Sequence, residues 1–106
     1  MATDKKFIET VLDKLAPLEI TAKAMFGEYS LYYQGKNFGV ACDNTLFVKI
    51  TDAGAEVARR VGRGSPYPGA KPAYRISRAK LNDRDWIISL VTTTSNALAP
   101  PKKKRP

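Results

Sequence analysis

Four strand-like runs follow one another between Ile20 and Ile50, separated only by short turn-forming pairs, and this spacing constrains the fold more than any other feature of the chain. In the first run Ile20, Ala22, Ala24 and Phe26 alternate onto one face, and Gly27-Glu28 interrupts it. The second, from Tyr29 to Gln34, is rich in aromatics and ends at Gly35-Lys36. The third, from Asn37 to Cys42, places Phe38, Val40 and Cys42 on one face and ends at Asp43-Asn44, a pair that tolerates positive φ. The fourth is Leu46-Phe47-Val48-Lys49-Ile50. Connections this short favour antiparallel hairpins, so the segment reads as a four-stranded meander.

Helical patterns flank the meander. Phe7, Ile8, Val11, Leu12 and Leu15 make one stripe of a helix over residues 4–16, with Thr3 as N-cap and Pro17 marking the exit. A second helix is predicted over residues 52–61, capped by Thr51 or Asp52, with Gly62 in the left-handed position after it. Its apolar face is thin (Ala53, Val57, Ala58, Val61), which lets the helix backbone sit close to a sheet. Residues 63–72 hold Gly64, Pro66, Pro68, Gly69 and Pro72, a density that excludes regular structure. Ala73-Tyr74-Arg75-Ile76 reads as one more strand. Asn82 to Asp85 opens a last helix striped by Trp86, Ile87, Leu90 and Val91, fading near Leu98 before Pro100-Pro101. The expected fold class is α+β, a two-layer α/β sandwich. It has an antiparallel sheet of four to five strands and three helices in the order α-β-β-β(β)-α-β-α. Residues 1–99 form the domain, and residues 100–106 a disordered basic tail.

Composition narrows the chemistry. The chain of 106 residues has no histidine, which removes the commonest general base and a common metal ligand. One cysteine, Cys42, forms no internal disulfide and reads as a small buried hydrophobe, so a reducing compartment is the simpler setting. No run is apolar enough for a signal peptide or a membrane span, and the expectation is a cytoplasmic protein without membrane contact. No phosphate-cradling glycine motif is present: Gly62-Arg63-Gly64 follows a helix rather than a strand. No catalytic, cofactor-binding or metal-binding residue is assigned, and the chain is read as not an enzyme. The net charge is +8, but half of that excess lies in Lys102, Lys103, Lys104 and Arg105.

Three segments together carry a family likeness. Lys23-Ala24-Met25-Phe26-Gly27-Glu28-Tyr29 resembles the Lys-x-Met-Phe-Gly-Gly-Tyr signature of the TfoX/Sxy N-terminal domain. Gly35-Lys36-Asn37-Phe38-Gly39-Val40 is similar to its glycine turn with a Phe-led strand, and Leu46-Phe47-Val48-Lys49 to its strand ending in lysine. The Pro/Gly-rich loop, Tyr74 and the Trp-bearing last helix follow in the family's order, so the resemblance spans about residues 5–98. Glu28 and Ser30 stand where glycine is common in that family. If those positions need positive φ, Glu28 is strained or the turn differs here. The resemblance implies a two-layer fold, a link to regulation of DNA-uptake competence, and no agreed enzymatic activity.

The motif residues are Lys23, Met25, Phe26, Gly27, Tyr29, Gly35, Phe38 and Lys49. Met25, Phe26 and Gly27 are read first as core filler and a tight turn, with a binding surface as the alternative. Lys23 and Lys49 either point into a shared pocket or lie on a solvated face. The candidate nucleic-acid contacts are Arg59, Arg60, Arg63, Arg75, Arg78, Lys102, Lys103, Lys104 and Arg105, with Lys80 and Arg84 nearby. Two functions compete, with a third, an enzyme of unrecognised type, to be recognised only by a deep pocket holding several convergent polar groups. The first is a non-enzymatic regulatory module with an unidentified protein partner, acting as a monomer or homodimer. The alternative is a weak, salt-sensitive, nonspecific nucleic-acid binder using the second-half arginines and the tail.

Overall fold

The computed structural model describes residues 3–98. Three hairpins build the meander from β1 (Ile20–Met25), β2 (Glu28–Tyr33), β3 (Lys36–Cys42) and β4 (Thr45–Val48). Every hairpin turns on two residues with positive φ: Phe26-Gly27, Gln34-Gly35 and Asp43-Asn44. Two such residues in succession match the right-handed twist of the flanking strands, so each connection closes without splaying its ladder. Residue 28 therefore needs no left-handed geometry. Glu28 pairs with Met25 as the first residue of β2, and the family-like glycine position costs this chain no strain.

The order is α1 (Lys5–Leu15), the meander, α2 (Asp52–Val57), β5 (Arg63–Gly64), β6 (Ala73–Ile76), α3 (Arg78–Asn82) and α4 (Arg84–Ala97). Among the described residues the antiparallel sheet thus has six strands, ordered β1-β2-β3-β4-β6-β5, and four helices accompany it. The α+β architecture is as expected, with one strand and one helix more. The added strand lies in the Gly/Pro-rich segment, where Arg63 and Gly64 pair with Tyr74 and Ala73 along the sheet edge. The added helix is a single capped turn: Ser77 accepts from the Lys80 amide.

Local capping explains several boundaries. Thr51 accepts from the Gly54 amide at 2.9 Å, and Asp83 accepts from the Trp86 amide at 3.2 Å. Thr3 does not cap α1. Asp4 takes that position without a side-chain bond to the helix, while the Thr3 hydroxyl reaches the Glu28 carboxylate and the Ala41 carbonyl. The second helix ends at Val57 instead of Val61, and Arg60 takes the left-handed conformation in place of Gly62. Gly62 instead accepts the Arg75 amide through its carbonyl at 2.8 Å, continuing the β5–β6 ladder. Helix α2 sits close to α4 rather than to the sheet: a Cβ on Gly54 would lie 3.0 Å from the Thr94 hydroxyl.

A bulge in β3 divides the apolar residues between two faces. Leu31 pairs with Gly39 but Tyr32 pairs with Asn37, so Phe38 is an extra residue in the ladder. The Asn37 side-chain amide donates to the Leu31 and Gly39 carbonyls, both at 2.9 Å, and satisfies the interrupted strand. An extra residue reverses the alternation beyond it. Phe38 consequently enters the core with Ala41, while Val40 and Cys42 face the other way, against the expectation of one shared face. The main core joins Leu31, Phe38, Leu46, Val48 and Tyr74 of the sheet to Ile8, Val11, Ile87 and Leu90 of the helices. All four helices contribute to it or pack against it, and none contributes to the second cluster of Val40, Cys42, Phe47 and Ala73.

Candidate functional site

The sheet face without helices is where the unassigned surface chemistry gathers. Register alone lines up Lys23 on β1, Ser30 on β2, Val40 on β3, Phe47 on β4 and Arg75 on β6. The row reads cation, hydroxyl, two apolar side chains, cation. The bulge produces it, because without the extra residue Val40 would turn toward the helices and be lost from this face.

At one end of the face stands the Phe26-Gly27 turn. Phe26 has φ +52 and is 102% exposed, and Met25 beside it is 44% exposed. These two are not core filler, which corrects the first reading of the Met-Phe-Gly trio. The alternation that assigned Phe26 to a strand face ends at Met25, and the turn holds the ring clear of the protein. Full burial of a phenylalanine is worth about 1.5–3 kcal/mol, and Phe26 leaves that stabilisation unused. Tyr67, 53% exposed, comes in from the Gly/Pro-rich loop. Together with Met25, Phe26, Val40 and Cys42 it borders an apolar cavity of about 500 Å³. Cys42 itself is 3% exposed. Burial, followed by the nearby Glu28 and Asp43 carboxylates, pushes its thiol upward from the ordinary 9.0, so the group behaves as a small hydrophobe.

The two motif lysines do not share a pocket. Lys23 lies over the Tyr32 ring, 5.5 Å from its centroid. Lys49 follows β4, with β2 and β3 between it and β1, a separation of roughly 14 Å at the ordinary strand spacing. It borders a second cavity of about 530 Å³ with Lys71, and that cavity shares Val40 and Tyr67 with the first. Although Lys49 is exposed as a residue, its ammonium is crowded there. Partial burial first, and the like charge of Lys71 second, lower its pKa from 10.5. The remaining motif residues are structural: Gly27 and Gly35 turn hairpins, Tyr29 packs against the core, and Phe38 is fully buried.

The candidate arginine stripe does not form. Arg59 pairs with Glu56 on α2 at 2.9 Å, and Arg60 holds the bend after it. Arg63 lies over the Tyr74 ring on the helix side, whereas Arg75, the residue next to Tyr74, points to the opposite face. Arg78 borders a groove with Asp4 and Lys6 near the start of α1. Lys80 covers Trp86, and Arg84 reaches Asp13. Lys102, Lys103, Lys104 and Arg105 lie outside the described residues, as does the whole predicted tail.

Sequence reasoning missed Val40, Phe47, Tyr67 and Lys71. Tyr67 and Lys71 sit in a segment with no periodicity to read. The available signal was the apolar pair Val40 and Phe47 on runs that already supplied a core face. Among the described residues no helix is long and apolar enough to cross a membrane.

The profile of the TfoX N-terminal domain matches residues 12–98. An uncharacterized 12.7 kDa protein in the trpE 5′ region of Spirochaeta aurantia is 38% identical over 106 residues, covering 99% of this chain and 91% of the relative.

Proposed function

The chain belongs to the TfoX N-terminal domain family, and from that membership we propose that it is a non-enzymatic regulatory module, working in the cytoplasm in the control of DNA-uptake competence by docking to a partner protein through the helix-free face of its sheet. The observation that carries this reading is Phe26, a large aromatic held entirely in solvent on a left-handed turn beside Met25 and an apolar cavity. Exposed aromatics at the edge of an apolar depression are what protein interfaces use as anchors. The flanking cations Lys23 and Arg75 suit a partner segment with an apolar centre and acidic ends. Dispersal of Arg59, Arg63, Arg75 and Arg78 over different faces gives no support to a nucleic-acid stripe on the folded body.

Complementation tests the proposal. A strain lacking the gene is expected to show altered competence-gene transcripts, restored by the wild-type chain and not by Phe26→Asn at equal cellular abundance. Full restoration by Phe26→Asn, or unchanged transcripts in the deletion strain, would overturn it.

A further inference from the structure

Two cavities on the helix-free face adjoin at Val40 and Tyr67. They are therefore the two halves of one groove. The halves hold about 500 and 530 Å³, each inside the range of roughly 300–1,000 Å³ usual for small-molecule sites. They differ sharply in chemistry. One is bounded by Met25, Phe26, Val40 and Cys42, and its one charged neighbour is Glu28. One oxygen of that carboxylate, Oε1, is held by the Thr3 hydroxyl and by the Asp43 amide at 3.2 Å, at the end of the groove away from the lysines. The other half has Lys49 and Lys71 on its wall and no carboxylate among its lining residues. Among the described residues neither lysine makes an ion pair, and their mutual repulsion is felt at Lys49.

We infer that this groove binds a small amphipathic carboxylic acid, with the carboxylate between Lys49 and Lys71 and the apolar body running past Val40 toward Met25 and Cys42. A carboxylate there supplies the counter-charge that the two ammonium groups lack. The backbone beside it asks for nothing more, since the Lys49 amide already donates to the Phe38 carbonyl at 2.8 Å. The apolar body replaces water against Val40 and the flank of Cys42, where no hydrogen-bonding demand exists. Lys49 aligns with Phe38, and Cys42 lies four residues further along β3. At about 3.3 Å per residue the span is roughly 13 Å, the reach of a medium-length acyl chain. Head and tail specificity thus come from different elements: the loop and the end of β4 read the charge, and the bulged strand reads the apolar body. The inference goes beyond the docking reading and does not depend on it, because the site is complete within one chain.

The test compares octanoate with 1-octanol, which share a chain and differ in charge, by calorimetry on the full chain, with amide chemical-shift mapping to locate the contact. Octanoate is expected to bind saturably and about tenfold or more tighter than octanol, the ordinary worth of one charge-assisted contact. Shifts should concentrate at Val40, Tyr67 and Lys71. The double variant Lys49→Gln/Lys71→Gln should bind the two probes alike. Equal affinity of the wild type for acid and alcohol, absence of saturation, or shifts centred on another surface would each overturn the assignment. Should the double variant fail to fold, the wild-type comparison and the shift map decide alone. Failure of this test leaves the transcript experiment untouched, and the reverse also holds.

Discussion

A Cβ placed on Gly39 would lie 2.1 Å from the carbonyl oxygen of Phe47, so β3 and β4 meet there backbone to backbone at the bulge. No flexible side chain is available to yield, since the Phe47 carbonyl carbon and the Val48 Cα are also close, at 3.1 and 3.2 Å. Gly39→Ala is expected to destabilise the protein by about 1–3 kcal/mol, the usual cost of overpacking. Urea unfolding monitored at Trp86 checks this, with a lowered midpoint at constant slope as the expected result.

Phe26 predicts the opposite sign. It is a bulky residue at φ +52 in the first position of a two-residue turn where asparagine before glycine is preferred. Phe26→Asn removes no buried surface, because the ring is in solvent. Stability should rise by roughly 0.5–1 kcal/mol, scaled from the cost of left-handed geometry for a non-glycine residue. Thermal melting reads the change, and a fall in melting temperature would contradict it.

The indole N–H of Trp86 donates to the Val57 carbonyl at 2.9 Å and ties α4 to the end of α2. Trp86→Phe keeps most of the ring and leaves that carbonyl without its donor. A loss of about 1–3 kcal/mol is expected by chemical denaturation, with amides of α2 losing hydrogen-exchange protection first.

Thr94 is fully buried, and its hydroxyl has no hydrogen-bond partner among the described residues. Thr94→Val keeps the branched shape and deletes the unpaired group. Replacement should stabilise by about 1 kcal/mol, the lower part of the desolvation cost of a lone hydroxyl. Destabilisation would mean that the hydroxyl has a partner.

Cys42 makes stability depend on alkaline pH. Its folded pKa lies above the ordinary 9.0, so folded and unfolded chains hold the same proton well below that value. As pH rises past 9.0 the unfolded chain ionises first, and the stabilisation is lost as pH climbs through the folded value. Urea midpoints should therefore decline above pH 9.0, with a shallower decline in Cys42→Ala. A thiol reagent at neutral pH should label native Cys42 far more slowly than the urea-unfolded chain.

Much of the fold was legible because it is local. Turn signals announced three hairpins, although two of the turns sit one residue earlier than read, at Phe26-Gly27 and Gln34-Gly35, and the stripes of α1 and α4 named their own buried faces. What escaped depends on partners distant in sequence. The bulge at Phe38 arises from register against Leu31 and Tyr32, so simple alternation misassigned Val40 and Cys42. The pairing of Arg63 and Gly64 is imposed by β6, and a two-residue strand carries no period of its own. At the candidate site Phe26 continued an alternating pattern and was read inward, while Tyr67 and Lys71 reach the groove only through the path of an irregular loop.

The placement of α4 has a consequence for biosynthesis. Its side chains Ile87, Leu90 and Val91 close a core whose other halves, α1 and the meander, are translated well before it. Until that last described helix leaves the ribosome, Leu31, Phe38 and Val48 have no α4 to cover them, and the nascent hairpins present an uncovered greasy surface. The sealed state therefore waits on α4, and until it emerges the uncovered hairpins are the part of the nascent domain most exposed to clumping with its neighbours.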